Sequence, residues 1–409
     1  MKATKITNFK DNLLDGELFF QYSWKKIQNI VSNIDYWTKN YLRRNYVLNQ
    51  IELVKLVNDM LLNKKKIQQL NEAINKNKNS KIGVLFKQKK KNLISEYKIL
   101  RYQINKIIFD LPNEVNLKCD KFKNKIIEEY LSTKKLKFVD YINKENVMFD
   151  LKTTAFSFGK RRYSLLPDGL KIYSKLLEQL RTILSKNKFS EFKLPLFISE
   201  ENLFRSGQLP KFKNDLFQIV GHDSKVKYFL TPTAEVAFCS WLINKKLNST
   251  DSNKFCSFSE CFRREKIAYG KKNSGLLRLL QFSKMEMFEI ATEENQYTKL
   301  LAMVKIVTNF FKKLDITYRV LLNSAMDTSW HCYITYDIEV FLPSLNDFVE
   351  VSSCSSTKFL QSLRCNLTFS DLKNKNPVML NGSFLPMERV LAILLEYNIN
   401  LDQVCWENE

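Results

Sequence analysis

Two short segments carry the residue types needed to hold a nucleotide beside an amino acid. FSECFRRE (258–265) ends on Arg263, Arg264 and Glu265, and LLRLLQFSKMEMFEI (276–290) returns with Arg278, Phe282 and Glu286 at even spacing. Even steps place residues on one face of a regular strand, so an antiparallel pair would present guanidinium groups, a ring and a carboxylate together. A guanidinium forks onto phosphate, a phenyl ring covers a base, and a carboxylate takes an ammonium group. The competing reading is a surface hairpin with solvated charges, since short motif matches often mislead.

A basic loop with Gly270 and Gly275 joins the two strands. Around them the pattern mixes strands and helices. Leu170–Lys186 reads as an amphipathic helix, 192–197 (FKLPLF) as a short strand interrupted by Pro195, and 227–236 (KYFLTPTAEV) as a further strand. A helix near Gln296–Lys313, strands at 336–343 (YDIEVFLP) and 348–355 (FVEVSSCS), and a closing helix from about Phe384 complete the region. Strands joined by hairpins with helices bunched at the ends predict an antiparallel sheet in an α+β domain. The chain has no G-x-G-x-x-G and no GxxxxGK[ST], so a nucleotide would bind without a Rossmann or P-loop cradle.

The N-terminal region has a different beat. From about Asp35 to Asn77 there is no Pro or Gly, and Leu53, Val57, Met60, Ile67, Leu70 and Ile74 recur at helical spacing. After the polar NKNKNSK the beat resumes at Leu93, Tyr97, Leu100, Ile104 and Ile107, and Leu111-Pro112 stops it. This predicts an antiparallel helical hairpin, a coiled-coil arm, with Lys87 and Lys89 to Lys91 near its tip. Charge favours RNA contact and the heptad-like spacing favours a dimerisation coiled coil; both readings stand on the pattern alone.

The 409 residues carry a net charge of +22, which predicts a polyanionic partner, against the alternative of a lysine-rich compositional bias. Eight cysteines without a CxxC pair and two histidines argue against structural zinc and fit a reducing compartment. Cys261 and Cys354 read as small buried residues. No apolar run approaches a membrane span, and the first residues lack a secretory apolar region; an organelle-directed leader stays open.

Taken in order, SGQLPKF (206–212), TPTAEV (231–236), FRRE with GLLRLLQFSKMEM (262–287), YDIEVFLP (336–343), EVSSCS (350–355) and LNGS…ER (380–389) resemble the bacterial-type seryl-tRNA synthetase family, a class II aminoacyl-tRNA synthetase family. The resemblance covers about residues 30 to 400. It implies a class II antiparallel sheet flanked by helices, with residues 1–115 as a tRNA-binding helical arm, 116–155 as a connector and 156–409 as the catalytic domain. It also implies activation of L-serine with ATP and transfer of the seryl group to tRNA-Ser, in a cytoplasmic homodimer. The arm of one subunit would hold tRNA bound at the other's active site, and the proline-containing segment would lie at the interface.

By the same resemblance, Thr233, Ala234, Glu235, Glu286 and Ser383 would bind serine. ATP would be held by Arg263, Arg264, Glu265, Arg278, Leu279, Phe282, Glu350, Val351, Ser352, Ser353 and Arg389. Within that set, Arg263 takes the α-phosphate, Phe282 stacks on the base, and Arg278 and Arg389 take the distal phosphates. Arg263, Glu286 and Arg389 carry the catalytic roles, and Glu350 with Ser353 would bind Mg²⁺. Chemistry of this kind needs positioning and charge neutralisation more than a dedicated base.

The last motif departs from the family's, which runs roughly NGSGLAVGR; here it is NGSFLPMER. Phe384 predicts added bulk beside the nucleotide, and Glu388 an anion beside Arg389 that weakens its hold on phosphate. Cys332 and Tyr333 replace paired alanines, and Ser274 replaces an arginine. These changes motivate a second reading, a non-catalytic RNA-binding relative. A third, an enzyme that loads a carrier protein, is disfavoured by the long basic arm.

Overall fold

The computed structural model describes residues 17–77, 81–133, 148–221, 226–264, 275–373, 375–401 and 404, with side chains described from residue 24 onward. The chain divides into two compact units, Met1–Glu114 and Val115–Glu409.

In the first unit α1 (Glu17–Ser32) and α2 (Ile34–Leu42) precede two long helices, α3 (Gln50–Lys76) and α4 (Lys81–Asp110). At 1.5 Å per residue these are about 40 and 45 Å long. The uninterrupted helix expected from Asp35 is broken between Arg43 and Asn49. Asn45 has φ 55°, and Asn49 restarts the helix by accepting the Glu52 N–H at 3.2 Å while its amide donates to Glu52 Oε2 at 2.8 Å. That is an N-cap reinforced by a side-chain bond, and Asn-x-x-Glu was visible in the sequence. Leu53, Val57 and Met60 of α3 and Ile104 of α4 are buried, as their spacing predicts, whereas Ile107 is half-buried and the neighbouring Ile108 is the buried one. Lys87, Lys89 and Lys91 are exposed along α4.

The second unit follows as β1 (Lys125–Tyr130), α5 (Pro167–Lys186), β2 (Ser190–Glu191), β3 (Phe197–Ser199), α6 (Glu200–Ser206), β4 (Gln218–Ile219) and β5 (Tyr228–Leu230). Then come α7 (Ala234–Trp241), β6 (Lys254–Phe262), β7 (Gln281–Ala291), α8 (Gln296–Lys313), β8 (Tyr318–Leu322), β9 (Ile334–Leu342) and β10 (Asp347–Ser356). Last are α9 (Leu360–Arg364), β11 (Val378–Pro386) and α10 (Met387–Glu396). Eight strands form one sheet in the order β1-β8-β9-β10-β11-β7-β6-β2, antiparallel except where β2 meets β6. Strands β3, β5 and β4 make a small separate sheet.

Helices cover one face of the large sheet. Leu176, Leu180 and Leu184 of α5, Met303, Val307, Phe310 and Phe311 of α8, and Val390, Leu391 and Leu394 of α10 are buried against it. α7 closes another part of the sheet, packing Ala234 and Phe238 against Phe255 and Phe288. Among the described residues no helix is long and apolar enough to cross a membrane.

Four element expectations need correction. Residues 231–236 do not continue a strand; Thr233 is extended and Ala234 opens α7. FKLPLF is a strand only at its final residue, because Pro195 lacks the N–H a ladder needs. The closing helix starts at Met387, as β11 runs on to Pro386. The segment read as a featureless connector contains β1, an edge strand whose exposed residues hide its alternation. Cys261 and Cys354 are fully buried, and burial pushes their thiols up to about 11 and about 12.

Candidate active site

The core of the site comes from three neighbouring strands, β10, β11 and β7. The predicted hairpin is present as β6 paired with β7, with Phe282 opposite Cys261 and Glu286 opposite Ser257. β7 begins only at Gln281, so Arg278 lies before the strand and does not share its register. Arg263 likewise stands one residue beyond the end of β6. Even spacing holds for Phe282 and Glu286, and a third residue between them, Lys284, completes that face. All three line a cavity of about 670 Å³.

The polar network at the cavity wall is closed on itself. Thr233 Oγ1 donates to Glu286 Oε2 at 2.8 Å, and Lys284 Nζ donates to Thr233 Oγ1 and to Ser383 Oγ, both at 2.9 Å. Lys284 also forms an ion pair with Glu286. Lys284 is 5% and Glu286 2% exposed, so each charge depends on the other for compensation. Thr231 Oγ1 holds the Thr233 carbonyl at 2.8 Å, which fixes the turn into α7. Sequence reasoning missed Lys284, although its even spacing between Phe282 and Glu286 was available.

Glu235, in the first turn of α7, is buried against a second network. Gln361 Nε2 donates to its Oε1 at 2.6 Å and to the Ser206 carbonyl at 2.9 Å, and His331 Nε2 lies 3.3 Å from the same carboxylate oxygen. Burial works to raise the Glu235 carboxyl, but His331, Gln361 and Lys284 outweigh it and hold its pKa below the ordinary value. Gly207, at φ 85°, packs on His331; a Cβ there would lie 2.6 Å from the histidine Cβ.

Further along the cavity stand the groups suited to a nucleotide. The Arg263 guanidinium lies 5.2 Å from the Phe282 ring centre, and its Nε donates to the Pro232 carbonyl at 3.2 Å. Arg389 donates to the Leu277 carbonyl at 3.0 Å and to the Glu350 carbonyl. Arg278, Leu279, Glu350, Val351, Ser352 and Ser353 also line the cavity. Ser352 Oγ bonds the Ser383 carbonyl and thereby ties β10 to β11.

Two predicted residues lie elsewhere. Ala234 is buried in the hydrophobic cluster under α7, and Arg264 is exposed, with its N–H on the Asp215 carbonyl at 2.9 Å. Glu265 and Ser274 fall outside the described residues.

For a divalent cation the donors are hard oxygens. Glu350 and Ser353 line the cavity beside Asp337, whose carboxyl is raised to about 7 by burial and then by the Glu350 charge. Asp337 Oδ2 accepts from Asn323 at 2.7 Å, while Oδ1 is buried and has no hydrogen-bond partner among the described residues. This donor set fits Mg²⁺. Among the described residues no group of three or more His, Cys, Asp or Glu is placed to hold a metal, so waters and substrate phosphates would complete the shell.

The last motif differs from expectation. β11 pairs Ser383 with Glu286 and Leu385 with Met285, leaving Phe384 as the extra residue of a β-bulge. Its ring is fully buried, edge-on to Phe310 at 6.2 Å between ring centres, and not in the cavity. Phe384 therefore adds no bulk beside a nucleotide. Glu388 turns to β7 and to Tyr163, not to the Arg389 guanidinium, as its hydrogen bonds show.

Residues 216–398 match the tRNA synthetase class II core domain family (G, H, P, S and T). The antiparallel sheet with its flanking helices is that of a class II aminoacyl-tRNA synthetase. The chain is 31% identical to the serine–tRNA ligase of Wigglesworthia glossinidia brevipalpis, covering 90% of this chain and 92% of that one. In fold it is similar to seryl-tRNA synthetase from Pyrococcus horikoshii complexed with ATP, with TM-score 0.80, 21% identity and coverage of 91% and 94%. It is also similar to the cytoplasmic serine–tRNA ligase of Naegleria fowleri in complex with AMP, with TM-score 0.76, 20% identity and coverage of 90% of both chains. The chain belongs to the serine–tRNA ligase family.

Proposed function

We propose that this cavity activates L-serine with ATP and passes the seryl group to the 3′ end of tRNA-Ser. The observation that carries the reading is the buried Thr233–Glu286–Lys284–Ser383 network, sharing one cavity with Arg263, Phe282 and Arg389. Glu286 takes the serine ammonium, and the Thr233 and Ser383 hydroxyls serve the substrate's small polar groups. A site built to satisfy a hydroxyl penalises alanine, because its own buried polar groups are then left unpaired.

Phe282 stacks on the adenine, and Arg263 approaches the α-phosphate. The serine carboxylate attacks that phosphorus in line, and pyrophosphate leaves toward Arg278 and Arg389. These guanidinium groups neutralise charge as it grows, which is where most of the rate gain in such a reaction arises. Mg²⁺, held by Glu350 and Ser353, would supply further neutralisation of the phosphates. The ribose hydroxyl of the tRNA terminus then attacks the seryl carbonyl and AMP leaves.

The exposed lysines of α4 support tRNA contact through phosphates and shape. A cytoplasmic homodimer fits the family; sedimentation of the pure protein should give about twice the 48.4 kDa chain mass, and a monomer would reject that part. The second reading, an RNA-binding relative without turnover, loses its motivation with Phe384 in the core. Serine-dependent ATP–pyrophosphate exchange, with alanine, threonine and cysteine as controls, tests the proposal. Exchange with serine followed by charging of tRNA-Ser is expected, and a folded protein that exchanges with none of them sinks it.

A further inference from the structure

Glu388 is 1% exposed and stands at the cavity wall, and the function proposed above gives it no contact with serine or nucleotide. Both of its carboxylate oxygens accept the Ser283 N–H at 3.0 Å, and Oε1 also accepts the Tyr163 hydroxyl at 2.5 Å. The reason lies in the strand ends. β11 stops at Pro386, opposite Lys284. The next N–H along β7, that of Ser283, therefore has no strand partner on that side. Glu388, in the first turn of α10, supplies the missing acceptor. Pro386 offers α10 no side-chain cap, so a carboxylate in that turn also faces the positive end of the helix.

The Ser283 hydroxyl donates to Glu260 of β6 at 2.6 Å, and Tyr173 of α5 faces the same cluster. The residue thus joins α10, β7 and the Tyr163 segment at one point. That point adjoins in the chain two groups proposed to grip one ligand. Ser283 follows Phe282, and Glu388 precedes Arg389. Adenine and phosphate are connected by a fixed length of covalent chain, so the ring and the guanidinium that hold them need a fixed separation.

We infer that Glu388 is a positioning residue for ATP: its clamp on Ser283 and Tyr163 sets Arg389 at the right distance from Phe282. The inference rests on reading this cavity as the ATP site. The carboxylate does here the work of joining helix to strand, at a position where the family's pattern has glycine.

The test measures the ATP Kd by calorimetry and the KM values for ATP and serine in pyrophosphate exchange. In Glu388→Ala the ATP constants should rise about tenfold, with the serine KM within twofold. Glu388→Gln, which keeps an acceptor for Ser283 and a partner for Tyr163, should stay within about threefold of the parent. ATP constants unchanged to within threefold in folded Glu388→Ala overturn the inference. So does an equal rise in both KM values, which marks a general collapse. If Glu388→Ala does not fold, Tyr163→Phe decides: a rise in ATP Kd of threefold or more supports the clamp, and a smaller one overturns it. The unmodified protein is the separate control. Its failure to bind ATP would remove the ATP site itself, whereas its binding ATP while the variants do likewise removes only the clamp.

Discussion

At the scale of single residues, Thr233 is the hinge of the proposed amino-acid pocket. Its hydroxyl donates to Glu286 and accepts from Lys284, so it sets both charges. Thr233→Val keeps the shape and removes the hydroxyl, and should raise the serine KM about tenfold or more while the ATP KM stays within threefold. Equal changes in both constants would refute this division of labour. Thr233, Glu286 and Ser383 were legible in the sequence, because their motifs keep the family's spelling. Lys284 was not, because periodicity tells which face a residue occupies but not how deep that face lies, and an unburied lysine is the usual case. Ala234 was read into the pocket with its neighbours. The start of α7 turns it away, since on a helix adjacent residues cannot share a face.

At the scale of elements, β11 and β7 show what alternation does and does not reveal. Alternation alone sets Phe384 behind Ser383, hence in the core, although the comparison of spellings pointed to the nucleotide. It does not reveal the bulge, which lets Phe384 and Leu385 both bury while Pro386 returns to the cavity. Bulges have no fixed residue code at positions of negative φ. Phe384→Gly should therefore lower stability by about 3–5 kcal/mol through the cavity it leaves against Phe310, with the ATP KM unchanged. Thermal or urea unfolding checks the first part and exchange kinetics the second; tighter ATP binding would revive the crowding explanation. The break between α2 and α3 was missed for a different reason. It contains neither Pro nor Gly, and Asn45 supplies the left-handed residue instead.

At the scale of the whole molecule, composition gave the sign of the charge but not its location. A net charge of +22 is compatible with mere lysine enrichment. The structure shows Lys87, Lys89 and Lys91 exposed on α4, in a unit separate from the one that bears the cavity. Replacing these three by serine should leave serine-dependent exchange intact and raise the tRNA KM in charging. It should also flatten the log–log salt dependence of tRNA binding by about 2–3, the slope expected for three phosphate contacts. An unchanged slope would place the RNA contact elsewhere. The chain divides into its two units close to where the helical period gives way to the strand period. The edge strand β1 was not legible in the sequence, because its exposed surface gives no alternation to read.

The bulge at Phe384 has a consequence for insertion and deletion. Between Ser383 and Arg389 the chain must count off one surplus residue, return to register and enter a helix. Losing any one residue there would rotate Ser383 away from Glu286, or draw Glu388 and Arg389 past their partners. On the buried side a Cβ on Gly382 would lie 2.9 Å from both Cys354 Sγ and the end of Met303 and 3.3 Å from the end of Met287, so a larger residue there needs its neighbours to move. In this motif the letters drift and the count is held, so a family member with an equally altered spelling but one residue fewer should have lost the site.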